Sequence, residues 1–190
     1  MEDILHIIKG CIEKNHKYQK IVYEQYRGFA LKTVFRYIYH YEKAVYVVND
    51  GFVKAFTHFE KFIPEEEHNE KMLMSWLKRI MINTAIDALR KNKMLPEIGG
   101  IPDYVWEQTD NNQDADQLLL YKDLMIMVKQ LPPVYRTIFN LYVIDGYNHI
   151  EIAYLLKIPI GTSKSGLSRA RVLLQTSIKK SEEENYAESR

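Results

Sequence analysis

Apolar residues recur at three- and four-residue steps through most of the chain, and this spacing predicts helices in nearly every long segment. Residues 19–41 place Ile21, Val22, Tyr26, Phe29, Ala30, Val34, Tyr37 and Ile38 on one broad face. Residues 42–60 repeat the pattern with Val45, Val48, Phe52, Ala55, Phe56 and Phe59. A loop over 61–71 follows, with Pro64 and the acidic run Glu65–Glu66–Glu67. The helix over 71–92 turns Leu73, Trp76, Leu77, Ile80, Ala85, Ile86 and Leu89 inward. It turns Lys78, Arg79, Asn83, Asp87, Arg90 and Lys91 outward. The first half has room for one further helix.

The second half is punctuated more sharply. A helix from Leu118 stops at Gln130, because Pro132 and Pro133 disfavour helix in the residues before them. A second helix from Tyr135 to Ile144 closes at Asp145–Gly146. Asn148 reads as a helix N-cap, with Glu151 three residues on as the partner in a capping box. The helix over 149–156 carries Ile152, Ala153 and Leu156 inward. After Ile158–Pro159, Thr162 is the candidate N-cap of a helix over 163–177 that buries Leu167, Ala170 and Leu174. Two short helices around a tight turn, the second one basic, have the layout of a helix-turn-helix. Its second helix would present Ser163, Lys164, Ser165, Gly166, Ser168 and Arg169 to the major groove, with Lys157 and Arg171 beside phosphates.

Eight glycines and six prolines are few for 190 residues, which favours helices over a turn-rich β architecture. A formal net charge of +1 conceals opposed blocks. Residues 71–94 are net +5, residues 95–117 net −6 and residues 157–180 net +6, and the last ten residues are acidic again. Two basic segments around an acidic spacer suggest two tethered surfaces for a polyanion. The spacer also holds Gly99–Gly100 and a polar run from Gln108, and helical periodicity stops there. The expected organisation is therefore all-α. Two helical domains, 1–94 and 118–180, are joined by a flexible acidic linker over 95–117 and followed by a disordered acidic tail over 181–190.

Several function classes fall away. No apolar run approaches the roughly 18 residues of a membrane span, so no membrane insertion is expected. The start, Met1–Glu2–Asp3, lacks the basic opening of a secretory signal, and a cytoplasmic protein is expected. One cysteine, Cys11, forms neither an internal disulfide nor a zinc cluster and reads as a small buried side chain. The six histidines show no paired metal-ligand spacing, and His58 and His68 around Glu65–Glu67 read as a solvated loop. Phosphate-binding glycine motifs and nucleophile elbows are also missing, so neither an enzyme nor a cofactor is expected. On the 71–92 helix, Lys and Arg suit phosphates, Asn83 suits a base edge, and Phe59, Phe62 and Trp76 are candidates for base stacking or for core.

Three segments, in order, carry a resemblance. Phe52–Val53–Lys54–Ala55–Phe56 is similar to a segment ending FxKAW. Trp76, Leu77, Arg79, Ile80, Asn83, Asp87 and Arg90 fit WLxRIxxNxxxDxxR. Residues 131–174 fit LPxxYRxxFxLxxxxGxxxxEIAxxLxIPxGTxKSxLSRARxxL at nearly every fixed position. Together they resemble the extracytoplasmic-function group of the sigma-70 family of bacterial RNA polymerase sigma factors.

The resemblance implies a transcription initiation factor with divided labour. Region 2, residues 1–94, would bind the β′ clamp helices of core RNA polymerase through Tyr46, Asn49, Asp50 and Lys54. It would also read and melt the minus-ten element through Lys78, Arg79, Asn83, Asp87, Arg90 and Lys91, with loop 61–72 and Asn83 holding a flipped base. Region 4 would read the minus-thirty-five element of promoter DNA through Thr162, Ser163, Lys164, Ser165, Gly166, Ser168, Arg169 and Arg171, and dock on the β flap. The acidic linker would thread the polymerase, and an anti-sigma partner would mask the basic faces.

Three positions depart from the family pattern. Tyr46 stands at an acidic position and Ser163 at an apolar one. Gly166 replaces an arginine, at an expected cost of about 1 kcal/mol of helix stability and the loss of a DNA contact. The alternatives are a stand-alone helix-turn-helix regulator, which would need a dimer surface, and a helical adaptor that binds only protein.

Overall fold

The computed structural model describes residues 3–65, 68–91 and 115–188. The chain forms two compact units that divide between Asp110 and Asn111. Residues 95–114, most of the expected linker, lie outside the described residues, and Ala115–Gln117 belong to a helix.

The first unit is built from α1 (Ile4–Ile12), α2 (His16–Phe35), α3 (Tyr41–Thr57), a 3₁₀ turn at Phe59–Lys61 and α4 (Asn69–Lys91). The sequence left α1 unplaced. The Asp3 carboxylate caps it by accepting from the Leu5 N–H at 3.3 Å, and Asn15 caps α2 by accepting from the Lys17 N–H at 3.0 Å. α2 ends six residues before the expected boundary. Phe35, Tyr37, Ile38 and Tyr39 are all buried, and residues so nearly consecutive cannot share one helix face, so the chain turns there. The core runs along Val22, Tyr26, Ala30 and Val34 of α2, Val48, Phe52 and Ala55 of α3, and Leu73, Leu77, Met81 and Ala85 of α4. α3 and α4 approach closely because Gly51 has no side chain: a Cβ there would sit 2.5 Å from the Met81 sulfur.

The second unit contains α5 (Ala115–Gln130), α6 (Pro133–Phe139), α7 (His149–Leu156) and α8 (Ile160–Glu188). α6 widens into a π-turn over Asn140–Ile144, where the Asp145 N–H reaches the Asn140 carbonyl at 2.9 Å. Gly146, at φ 77°, completes the reversal. The expected capping box is present. Asn148 Oδ1 accepts from the N–H groups of Ile150 and Glu151, and Glu151 Oε2 accepts from the Asn148 N–H at 2.9 Å. α7 then spans the expected residues and closes on Lys157 in the left-handed region. Met125, Val128, Leu131, Ile138, Leu141, Ile152, Leu167, Ala170 and Leu174 form the core of this unit.

Two expectations for α8 are corrected. It begins at Ile160 rather than after a Thr162 cap, because the N–H groups of Thr162 and Ser163 donate to the Pro159 carbonyl. The expected disordered tail continues α8 through Glu188, since Glu182–Glu184 and Ala187 are helix formers with no Gly or Pro among them. Among the described residues, no helix is long and apolar enough to cross a membrane, and no cluster of three metal-ligating side chains occurs.

Candidate nucleic-acid interface

Three surfaces carry the expected residues, two on the first unit and one on the second. On α3, Asn49, Asp50 and Val53 lie three, four and seven residues after Tyr46 and share an outer face with it. Tyr46 is 76% exposed and Val53 63%, and the sequence reading had missed Val53 as a surface group. Asn49 Oδ1 accepts from the Tyr23 hydroxyl at 3.0 Å, which fixes the amide on the surface. Lys54 turns aside: its ammonium sits 2.9 Å from the Asp50 carboxylate and 3.3 Å from Thr84 Oγ1 on α4. It orients Asp50 and ties α3 to α4, so it is less available to a partner than its neighbours.

The second surface is a cavity of about 430 Å³ where the 61–65 segment folds against the start of α4. That is in the lower part of the roughly 300–1,000 Å³ range of small-ligand sites. Phe62 and Trp76 wall it on its aromatic side, with ring centroids 5.5 Å apart, and Phe59 backs Trp76 at 5.1 Å. Phe59 and Phe62 are core residues, while Trp76 is half-buried and spans core and cavity. Lys61 and Lys71, both exposed, stand at its rim with Met72 and Ser75. Asn83 does not line it; that side chain is exposed about two turns further along α4.

One residue that the sequence reading missed holds this loop in place. Asn69, only 7% exposed, accepts from the Glu65 N–H at 2.9 Å and donates to the Glu65 carbonyl at 2.7 Å. The amide thus imitates a backbone strand partner and pins the loop to α4. Tyr26 supports the same helix start through Glu70, 3.4 Å away, and burial with the Glu70 charge pushes its phenol well above the usual tyrosine range. Beyond the cavity, Arg79, Asn83, Arg90 and Lys91 are exposed on α4, with Lys78 and Asp87 half-buried. Arg90 pairs with the Asp87 carboxylate, so Asp87 acts on this face by orienting a cation.

The third surface is the outer side of α8. Thr162, Lys164, Ser165, Ser168, Arg169 and Arg171 are exposed. Arg169 donates to the Tyr135 hydroxyl at 2.9 Å, and the Arg171 guanidinium lies 5.9 Å from the Tyr142 ring centre. Ser163 and Gly166 are corrections, because neither faces outward. Ser163 is fully buried, and its hydroxyl lies 2.9 Å from His149 Nδ1. Gly166 packs against α6, where an added Cβ would be 2.6 Å from Ile138 Cδ1. Lack of an arginine at 166 therefore reflects helix packing, and any side chain here would start from a buried position. Arg136, another residue given no role in the sequence reading, is 3% exposed and donates to the Lys129 carbonyl, closing the end of α5. Burial and the Arg136 charge push the Lys129 ammonium below its usual range.

An aromatic cavity beside a cationic helix, and a separate unit with a basic helix after a capped partner, fit two regions of one known family. Residues 22–94 match Sigma-70 region 2, and residues 122–174 match Sigma-70, region 4. The chain belongs to the sigma-70 family. Within that family it is an extracytoplasmic-function sigma factor, a promoter-specific initiation factor for RNA polymerase. It is 27% identical to the ECF RNA polymerase sigma factor SigW of Bacillus subtilis over 164 residues, covering 81% of this sigma factor and 85% of that one. It is 25% identical to the ECF RNA polymerase sigma-E factor of Escherichia coli K12, covering 70% and 72% of the two chains. Its fold is similar to that of the sigma factor RpoE solved with the anti-sigma factor NepR from Bartonella quintana. The TM-score is 0.51 at 22% identity, over 86% of this chain and 97% of that one.

Proposed function

We propose that this sigma factor docks core RNA polymerase through the outer face of α3, captures one unpaired base of the minus-ten element in the loop cavity, and reads the minus-thirty-five element with α8. The observation that carries the reading is the cavity, with an aromatic wall, lysines at its rim and a basic helix running away from it. Pulling a base from its stack costs a few kcal/mol. Stacking against an aromatic side chain returns about 1–3 kcal/mol, and phosphate contacts from Arg79, Arg90 and Lys91 add to it. The exposed residues of α8 supply what direct readout needs: Lys and Arg donors for guanine edges and phosphates, and hydroxyls that serve either base.

The α3 face supports the docking assignment, since Tyr46 and Val53 give apolar area around the polar pair Asn49 and Asp50. Tyr46 in place of a carboxylate makes the contact more apolar than the family pattern. The β′ clamp helices are the proposed partner of this face, and the β flap that of the second unit. An anti-sigma protein that covers the α3 and α8 faces is proposed as the means of holding the factor idle. The chain carries out no bond chemistry itself; the polymerase catalyses, and the sigma factor acts in the cytoplasm by binding. Variants separate the surfaces. Asp50→Ala with Tyr46→Ala lowers affinity for core polymerase and leaves α8 intact. Lys164→Ala with Arg169→Ala leaves core binding unchanged and lowers promoter affinity at the upstream element. Core binding that survives the α3 pair, measured by fluorescence anisotropy of labelled sigma factor, contradicts the docking assignment.

A further inference from the structure

Resting on the reading of α8 as the upstream-element reader, we propose that His149 is a positioning residue for promoter recognition, acting through the buried hydroxyl of Ser163. His149 is the first residue of α7, and its Nδ1 lies 2.9 Å from Ser163 Oγ in the first turn of α8. Ser163 is fully buried, so its hydroxyl has no access to bulk water and meets the imidazole instead. The residues flanking it in sequence, Thr162, Lys164 and Ser165, are exposed on the surface assigned to DNA. A bond at Ser163 therefore fixes the rotation and height of the turn that carries these side chains.

The other side of the ring is held as well. Tyr142 of the π-turn stacks on His149 with centroids 4.6 Å apart at 27°, and the Arg171 guanidinium lies 5.9 Å from the Tyr142 ring centre. Ser163 and Arg171 are eight residues apart, about 12 Å along the helix. One imidazole thus braces the start of α8 directly and a cation two turns later through a tyrosine. An aliphatic pair at 149 and 163 would fill the space but set no direction, whereas a hydrogen bond fixes one geometry.

The test uses the full chain reconstituted with core polymerase. The probe is a promoter duplex recovered by in vitro transcription with this holoenzyme, compared with a copy whose upstream element is scrambled. The readout is the ratio of the two affinities. His149→Ala and Ser163→Ala each reduce that ratio roughly five-fold, as expected for one lost buried hydrogen bond, and the double variant falls no further than either single one. His149→Asn, whose amide places a polar atom near the Nδ1 position, retains the ratio within about two-fold. Thermal melting of each variant shows whether α7 and α8 remain packed, and Ser163→Ala, the smaller change, decides the matter if His149→Ala unfolds. Lys164→Ala is the control for the underlying reading: a ratio unmoved by it refutes α8 as the reader. A ratio lost in Lys164→Ala but unchanged in folded His149→Ala and Ser163→Ala overturns the positioning role. Additive losses in the double variant, or no rescue by Asn, overturn it equally.

Discussion

Asn69 offers the sharpest test of how the cavity is built. Asn69→Ala removes both hydrogen bonds that the side chain makes to Glu65, at 2.9 and 2.7 Å. Each is worth about 1 kcal/mol net. The closed loop should therefore lose about 2 kcal/mol relative to its open forms, a shift of roughly 30-fold. Hydrogen exchange of the Glu65 amide should quicken by about that factor. Amides deep in α4, near Met81 and Ala85, should change little, because the loop is a local opening unit. Binding of a forked minus-ten duplex to the reconstituted holoenzyme should weaken by at most the same 30-fold, through the smaller fraction of closed loop. Asn69→Asp keeps the acceptor but sets a carboxylate against the Glu65 carbonyl, so it should not rescue. A Glu65 amide that stays protected in Asn69→Ala refutes the clamp.

Three further predictions concern the scaffold. Burial pushes the Cys11 thiol up to about 12 from its ordinary 9.0, so the folded state keeps its proton where the unfolded chain has lost it. Stability from this group is therefore flat below about pH 9 and falls as pH rises from there towards 12; alkylation by iodoacetamide at pH 8 should be negligible until denaturant is added. Replacing Asn148 by Ala breaks the capping box and should cost about 1 kcal/mol in the second unit, read by denaturant titration. Gly166→Ala should be close to neutral alone, because about 1 kcal/mol of helix propensity is offset by displacing Ile138 Cδ1. In an Ile138→Val background, which lacks that methyl, the same substitution should stabilise by about 1 kcal/mol, and equal effects in both backgrounds would show that the close approach does not matter.

What could be read beforehand was the local and the periodic. α7 was legible from end to end, since Asn148 and Glu151 form a cap whose whole geometry lies within four residues. Spacing alone gave part of each inward face: Val48, Phe52 and Ala55 of α3, Leu73, Leu77, Ala85 and Ile86 of α4, and Leu167, Ala170 and Leu174 of α8 are buried as expected. Val47, Met81 and Ile82 are buried without having been expected, and Val45, Trp76, Ile80 and Leu89 are only half-buried. That same spacing held a signal the reading did not use: Ser163, Gly166, Leu167, Ala170 and Leu174 lie on one stripe of α8, so the first two belong with the core. Their small and polar character suggested a DNA surface instead. The end of α2 was missed because no Gly or Pro marks it, and burial of Tyr37, Ile38 and Tyr39 together is a tertiary event. Asn69, Arg136 and the His149–Ser163 pair were illegible for a common reason. Each acts through a side-chain bond to a loop, a helix end or a neighbouring helix, and such bonds leave no period in the sequence.

The central claim is that this chain directs RNA polymerase to promoters through two separate DNA-reading units. The most direct test mixes it with core RNA polymerase and maps every transcript start on fragmented DNA from its own host. Discrete starts, each preceded by two motifs at a fixed spacing, are the predicted result, with the upstream motif lost in Lys164→Ala and Arg169→Ala together. Failure to bind core enzyme, combined with specific binding to duplex DNA by the chain alone, contradicts the account and makes the chain a stand-alone regulator.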